Sequence, residues 1–212
     1  MSDSQATATT NDCYSAGERG WMEYGQRARA YLLSPLLVAI TRIGVRPDLI
    51  TALSGLAGVA FAPLWLAGYR QPAVGCLILH VLLDGLDGPL ARFQGTASPR
   101  GSFTDTFTDQ IVVTAVSVAW MIDLGTPWAI GLGGVFTFLY TLVVAMSMVR
   151  NALAIPYTWL IRPRFIIFAA LAAESLGLDR VTAPTMLVCC LLLALKTITG
   201  FFRLRQSIAG PK

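Results

Sequence analysis

Charge is scarce in this sequence. Asp, Glu, Lys and Arg make up 13% of its 212 residues, against about 25% in water-soluble domains. With 55% hydrophobic residues and a mean hydropathy of +0.62, that shortfall excludes an ordinary soluble domain and indicates a polytopic membrane protein. Apolar/polar alternation is missing too. The apolar runs are about twenty residues long, so the spans are helices and not barrel strands. The net charge of +4 comes without a basic run or interleaved aromatics, so no nucleic-acid partner is expected. The positive excess fits a bias toward the cytoplasmic face and affinity for phosphate groups. The four cysteines, Cys13, Cys76, Cys189 and Cys190, have neither metal nor redox spacing, and the adjacent pair at 189–190 reads as packing. The N-terminus carries Asp3, Asp12, Glu18 and Glu23 before any apolar run and does not resemble a cleaved signal peptide.

The expected fold is an all-α integral membrane bundle of six transmembrane helices, over 49–69, 72–92, 102–123, 127–149, 164–178 and 182–202. Residues 1–19 are expected to form a disordered tail. Residues 20–48 read as an amphipathic juxtamembrane helix, interrupted by Pro35 and lying in the interface. The transmembrane domain then covers 49–203, and 204–212 form a cytoplasmic tail. With the N-terminus inside, thirteen Lys and Arg residues fall on the cytoplasmic side, while Arg70 and Arg180 fall outside. The chain is thus expected to be a multi-pass protein of the plasma or inner membrane. Trp65, Trp120, Trp128 and Trp159 lie near span ends and read as interfacial anchors. No internal repeat of the transporter kind is present.

Against this apolar background stand Asp84, Asp87, Asp105 and Asp109, inside the expected second and third spans. A carboxylate in a membrane interior is costly without a partner. Asp84 and Asp87 are three residues apart and Asp105 and Asp109 four apart, so each pair shares a helix face. Gly95, Ser98 and Pro99 suit a turn between the helices, which would bring the two pairs face to face. Such a cluster requires a cation, and hard oxygen ligands point to magnesium, manganese or calcium rather than zinc. Two divalent ions between four carboxylates suit displacement at phosphorus. Gly88 and Ala91 leave room for a ligand against the backbone, Arg92 can grip phosphate oxygens, and Gly101 permits close approach at the start of the third span.

The pattern Asp84-x2-Asp87-Gly88-x2-Ala91-Arg92-x8-Gly101-x3-Asp105-x3-Asp109 resembles, position for position, the signature of the CDP-alcohol phosphotransferases. Pro47-Asp48-x2-Thr51 is similar to the family's Pro-Asn-x-x-Thr element, with Asp48 in place of Asn. The resemblance implies a homodimeric six-helix membrane enzyme that moves a substituted phosphate from a CDP-linked donor to an alcohol and releases CMP. It further implies that Asp84, Asp87, Asp105 and Asp109 hold magnesium or manganese, as two ions, and that Asp109 is also the general base. Gly88, Ala91, Arg92 and Gly101 would line the CDP site. Thr51 either touches the nucleotide or only caps its helix.

The favoured donor is CDP-diacylglycerol, with a glycerol or inositol phosphate as acceptor. A CDP-linked head group passed to a lipid alcohol is the alternative. Arg150, Arg162 and Arg164 read either as ligands of an acceptor phosphate or as positive-inside anchors. His80 reads as a partner behind the metal ligands or as a packing histidine, and Lys196 as a buried hydrogen-bonding group or a phosphate contact. Two remoter classes are an intramembrane prenyltransferase, which usually needs more spans and lacks Gly-x-x-Ala-Arg, and an ion-coupled transporter, which leaves Arg92 and the glycines unexplained.

Overall fold

The computed structural model describes residues 33–153, 155 and 162–208. The expected tail, the first part of the juxtamembrane segment and residues 209–212 lie outside these. Among the described residues every regular element is a helix: α1 (Leu33–Arg42), α2 (Pro47–Leu66), α3 (Arg70–Phe93), α4 (Pro99–Leu124), α5 (Pro127–Ala152), α6 (Pro163–Ser175) and α7 (Thr182–Ile208). Pro35 lies within α1 and does not end it.

Local chemistry explains the boundaries. Pro47, Pro99, Pro127 and Pro163 each open a helix, where the missing N–H costs no hydrogen bond. Ser98 caps α4 by accepting the Gly101 N–H at 3.1 Å, which sets the start of the helix carrying Asp105 and Asp109. Gly125, with φ +58°, ends α4 in the left-handed conformation.

Helices α2, α3 and α4 pack together around Phe61, Leu77, Val112, Val116 and Trp120, and the core continues through Phe136 of α5, Leu171 of α6, and Met186 and Leu193 of α7. A smaller cluster of Leu37, Ile50 and Leu90 seats α1 against α2 and α3. Leu56, Ile78, Leu82, Phe138 and Leu191 point outward. Five helices, α2 to α5 and α7, are long and apolar enough to cross a bilayer. The thirteen residues of α6 reach only ~20 Å, less than a hydrocarbon core of about 30 Å. The chain is a multi-pass membrane protein.

Two tryptophans expected at the interface are core residues instead. Trp120 and Trp65 are buried, Trp128 is exposed, and Trp159 lies outside the described residues. Trp65 Nε1 donates to Asp123 Oδ2 (3.2 Å), Arg70 Nη2 donates to Asp123 Oδ1 (2.7 Å), and the Arg70 guanidinium lies 4.1 Å from the Trp65 ring centroid. This closes the α2–α3 turn onto the end of α4, far along the helices from the aspartates.

Helix α2 approaches α4 closely at two glycines. A Cβ on Gly55 would lie 2.6 Å from the Thr108 methyl, and one on Gly58 would lie 2.5 Å from both methyls of Val112. Thr108 neighbours Asp109, so this contact sets how deep the α4 carboxylates sit.

Candidate functional site

Asp84 and Asp87 lie on α3, and Asp105 and Asp109 on the antiparallel α4. Carboxylate oxygens of Asp84, Asp105 and Asp109 come within 4.8 Å of one another. Asp105 is also within electrostatic reach of Asp87. Asp87 is turned toward α2, however. Its Oδ2 accepts from Thr51 Oγ1 at 2.7 Å, and its Oδ1 accepts the Gly88 N–H at 2.6 Å. The next residue, Pro89, has no N–H to donate within the helix. The donor set fits a hard divalent cation: oxygen atoms alone converge, and Asp109 Oδ1 is buried without a hydrogen-bond partner.

Beside the carboxylates opens a cavity of about 730 Å³. Its lining includes every residue expected at the donor site: Thr51, Gly88, Ala91, Arg92 and Gly101. Asp87 and Asp105 also line it, as do Asp48 and two further cations, Arg46 and Arg100. Those two carry no motif signal, since an arginine at a membrane edge reads equally well as an anchor. Asp84 and Asp109 are not among the lining residues and meet two others, of which helical spacing joins only His80, four residues before Asp84, to the cluster.

One of those is Arg164, whose Nη2 lies 2.8 Å from Asp84 Oδ2 and whose Nη1 pairs with Asp109 Oδ2. The other is His80, 1% exposed, with Nε2 3.8 Å from Asp109 Oδ1. The far side of its ring faces Ser54: Nδ1 lies 2.8 Å from Ser54 Oγ and 3.1 Å from Ser54 O. Ser54 Oγ in turn donates to the His80 carbonyl at 3.0 Å. His80 is thus both packed and directed at the carboxylate cluster.

Of the three arginines considered for an acceptor phosphate, Arg164 is thus engaged with carboxylates and Arg162 is an exposed residue preceding α6. Arg150 lines a second, small cavity between α5 and α7, together with Lys196, Arg203 and Ser147. Lys196 is within electrostatic reach of both Arg150 and Arg162.

The characteristic pattern of CDP-alcohol phosphatidyltransferases matches residues 44–204. This chain belongs to that family. Among its relatives, an archaetidylinositol phosphate synthase of Aeropyrum pernix is 42% identical over 74 residues, 34% of this chain and 37% of the relative. A phosphatidylinositol phosphate synthase of Mycobacterium marinum is 34% identical over 101 residues, 46% of this chain and 43% of the relative. These matches therefore span under half the length of either relative. Among solved structures, the Mycobacterium tuberculosis phosphatidylinositol phosphate synthase with CDP-DAG bound aligns with a TM-score of 0.65 and 25% identity, covering 82% of this chain and 92% of that one. The same enzyme in complex with manganese and citrate aligns with a TM-score of 0.62 and 25% identity, covering 81% and 86%.

Proposed function

We propose that this member of the CDP-alcohol phosphatidyltransferase family transfers a phosphatidyl group from CDP-diacylglycerol to the hydroxyl of a phosphorylated polyol, an inositol phosphate foremost, and releases CMP. The observation that carries this reading is the convergence of three carboxylates beside one cavity lined by Gly88, Ala91, Arg92 and Gly101. The relatives that are archaetidylinositol phosphate and phosphatidylinositol phosphate synthases, and the solved relative with CDP-DAG bound, support the choice of substrates.

In this reading Asp84, Asp87, Asp105 and Asp109 hold two magnesium or manganese ions, which supply charge neutralisation to the diphosphate and to the departing CMP. Arg92 grips the diphosphate, while Gly88, Ala91 and Gly101 let the nucleotide lie against the backbone. Thr51 restrains Asp87. Asp109 takes the proton of the acceptor hydroxyl, which has a pKa of about 16 and is a weak nucleophile until that proton leaves. Arg150, Arg162 and Lys196 attract the acceptor's phosphate, and Arg164 in the first turn of α6 adds a further positive charge.

The topology belongs to the same reading. Helix α6 is a short sixth span, α1 lies in the interface, and the catalytic domain runs over 49–203. The thirteen-to-two bias of basic residues puts the N-terminus and the site in the cytoplasm. There a soluble nucleotide can leave while the lipid enters sideways. Two copies associate as a homodimer.

Purified protein incubated with CDP-diacylglycerol, magnesium and a panel of phosphorylated and free polyols tests the reading. Chelator-sensitive CMP release with a phosphorylated polyol is the expected result. Release only from a CDP-linked head group with diacylglycerol as acceptor would reverse the roles of donor and acceptor. No CMP from either arrangement would overturn the reading.

A further inference from the structure

Arg164 stands in the first turn of α6, directly after Pro163. A cation there opposes the helix macrodipole, whose N-terminal end is positive. The residue is also only 3% exposed, so its guanidinium has lost most of its hydration. Helix stability therefore does not explain its position. Two carboxylates do: Nη2 lies 2.8 Å from Asp84 Oδ2, and Nη1 pairs with Asp109 Oδ2. Asp84 and Asp109 are two of the three residues whose oxygens converge within 4.8 Å. A guanidinium and a divalent cation thus require the same two side chains.

We propose that Arg164 is a tethered counter-cation of the metal site, displaced from Asp84 and Asp109 when a divalent cation binds there. The inference rests on the metal reading of these carboxylates. The physical reason is exclusion of like charge. In a site this buried, a guanidinium held between two carboxylates repels a dication brought to the same oxygens, and little solvent screens the repulsion. The two cations are therefore negatively coupled, and breaking the ion pairs subtracts from metal affinity. In return, Arg164 keeps α3, α4 and α6 together whenever the carboxylates lack a divalent partner. The competing arrangement is a permanent pin, in which Arg164 keeps both pairs with the metal bound.

The test uses the full chain in detergent, with Mn2+ as probe and free Mn2+ read by its paramagnetic resonance. R164Q removes the charge and is expected to bind Mn2+ about tenfold more tightly. Without Mn2+ its melting temperature falls below that of the unaltered chain, and saturating Mn2+ narrows the gap. R164K keeps the charge but bridges two carboxylates less well, so its affinity falls between the two. Unchanged or weaker Mn2+ binding by folded R164Q or R164K would overturn the proposal and support the pin. Should R164Q not fold, labelling of the unaltered chain with phenylglyoxal decides, read at Arg164 by mass spectrometry. Labelling at least about fivefold faster with Mn2+ supports displacement, and an unchanged rate overturns it. Failure of the unaltered chain to bind Mn2+ saturably would overturn the metal reading and this proposal with it. Saturable binding with no change in either variant would overturn the proposal alone.

Discussion

Thr51 Oγ1 donates a 2.7 Å hydrogen bond to Asp87 Oδ2, tying the start of α2 to a carboxylate of α3 where both line the large cavity. Thr51 also donates to the Pro47 carbonyl at 3.3 Å, a local bond that any serine or threonine there could form. The bond to Asp87 joins residues 36 positions apart and orients a carboxylate that no other described side chain holds. T51V, which keeps the shape and removes the donor, is expected to lower kcat/KM for CMP release about tenfold, roughly 1.4 kcal/mol. T51S should retain most of the activity. Equal loss in both variants would mean that the methyl group matters more than the hydrogen bond.

D109N is expected to leave folding and CDP-diacylglycerol binding largely intact while reducing turnover by about 10² or more, because the amide cannot take the acceptor's proton. Gel filtration, a donor-binding measurement and CMP release together check this. Turnover near that of the unaltered chain would remove Asp109 from the base role.

R150A should raise the KM for a phosphorylated acceptor selectively, by about tenfold, with the KM for donor unchanged. Arg150 shares the α5–α7 cavity with Lys196 and Arg203, so some attraction for phosphate survives its loss. A parallel rise in donor KM would move Arg150 out of an acceptor site.

The α2–α4 contact gives a mechanical prediction. Val112 is fully buried, so a Cβ at Gly58 cannot be accommodated by moving the valine into open space. G58A is expected to cost about 1–3 kcal/mol through overpacking, lowering the melting temperature in detergent and, by shifting α4, the activity. G75A is the control: nothing lies within 4 Å of a Cβ there, so only the gain in helix propensity remains.

At the other end of the bundle, D123A removes the acceptor shared by Trp65 and Arg70. A lower melting temperature with kcat/KM per folded molecule preserved is expected, since Asp123 lies away from the carboxylate cluster. A selective loss of activity would show that the two ends are coupled.

Hydropathy located the helices but not their ends. The run expected to stop at 202 continues as helix through Ile208, because backbone hydrogen bonding carries on past Arg203 and Arg205 after the chain stops being apolar. The run expected to reach 178 ends at Ser175, before Gly177 with its φ of +95°. Trp65 and Trp120 show a different limit. An aromatic residue near a span end suits the interface or the core equally well, and neighbouring helices decide which.

Composition was enough to require a membrane protein, since a chain so poor in charge cannot cover itself with polar surface, and apolar runs of about twenty residues without alternation made its spans helices, whose backbones satisfy their own hydrogen bonds in lipid. Helical spacing was enough to put Asp84 with Asp87 and Asp105 with Asp109, because a turn of 3.6 residues leaves little freedom over three or four positions. Spacing has no such hold over residues far apart along the chain. That Asp87 turns to Thr51, that His80 faces Asp109 across α3 and α4, and that Arg164 reaches Asp84 from 80 residues away depend on how α2, α4 and α6 lie against α3. Packing of glycines against Thr108 and Val112, and burial of one arginine between two carboxylates, made those choices.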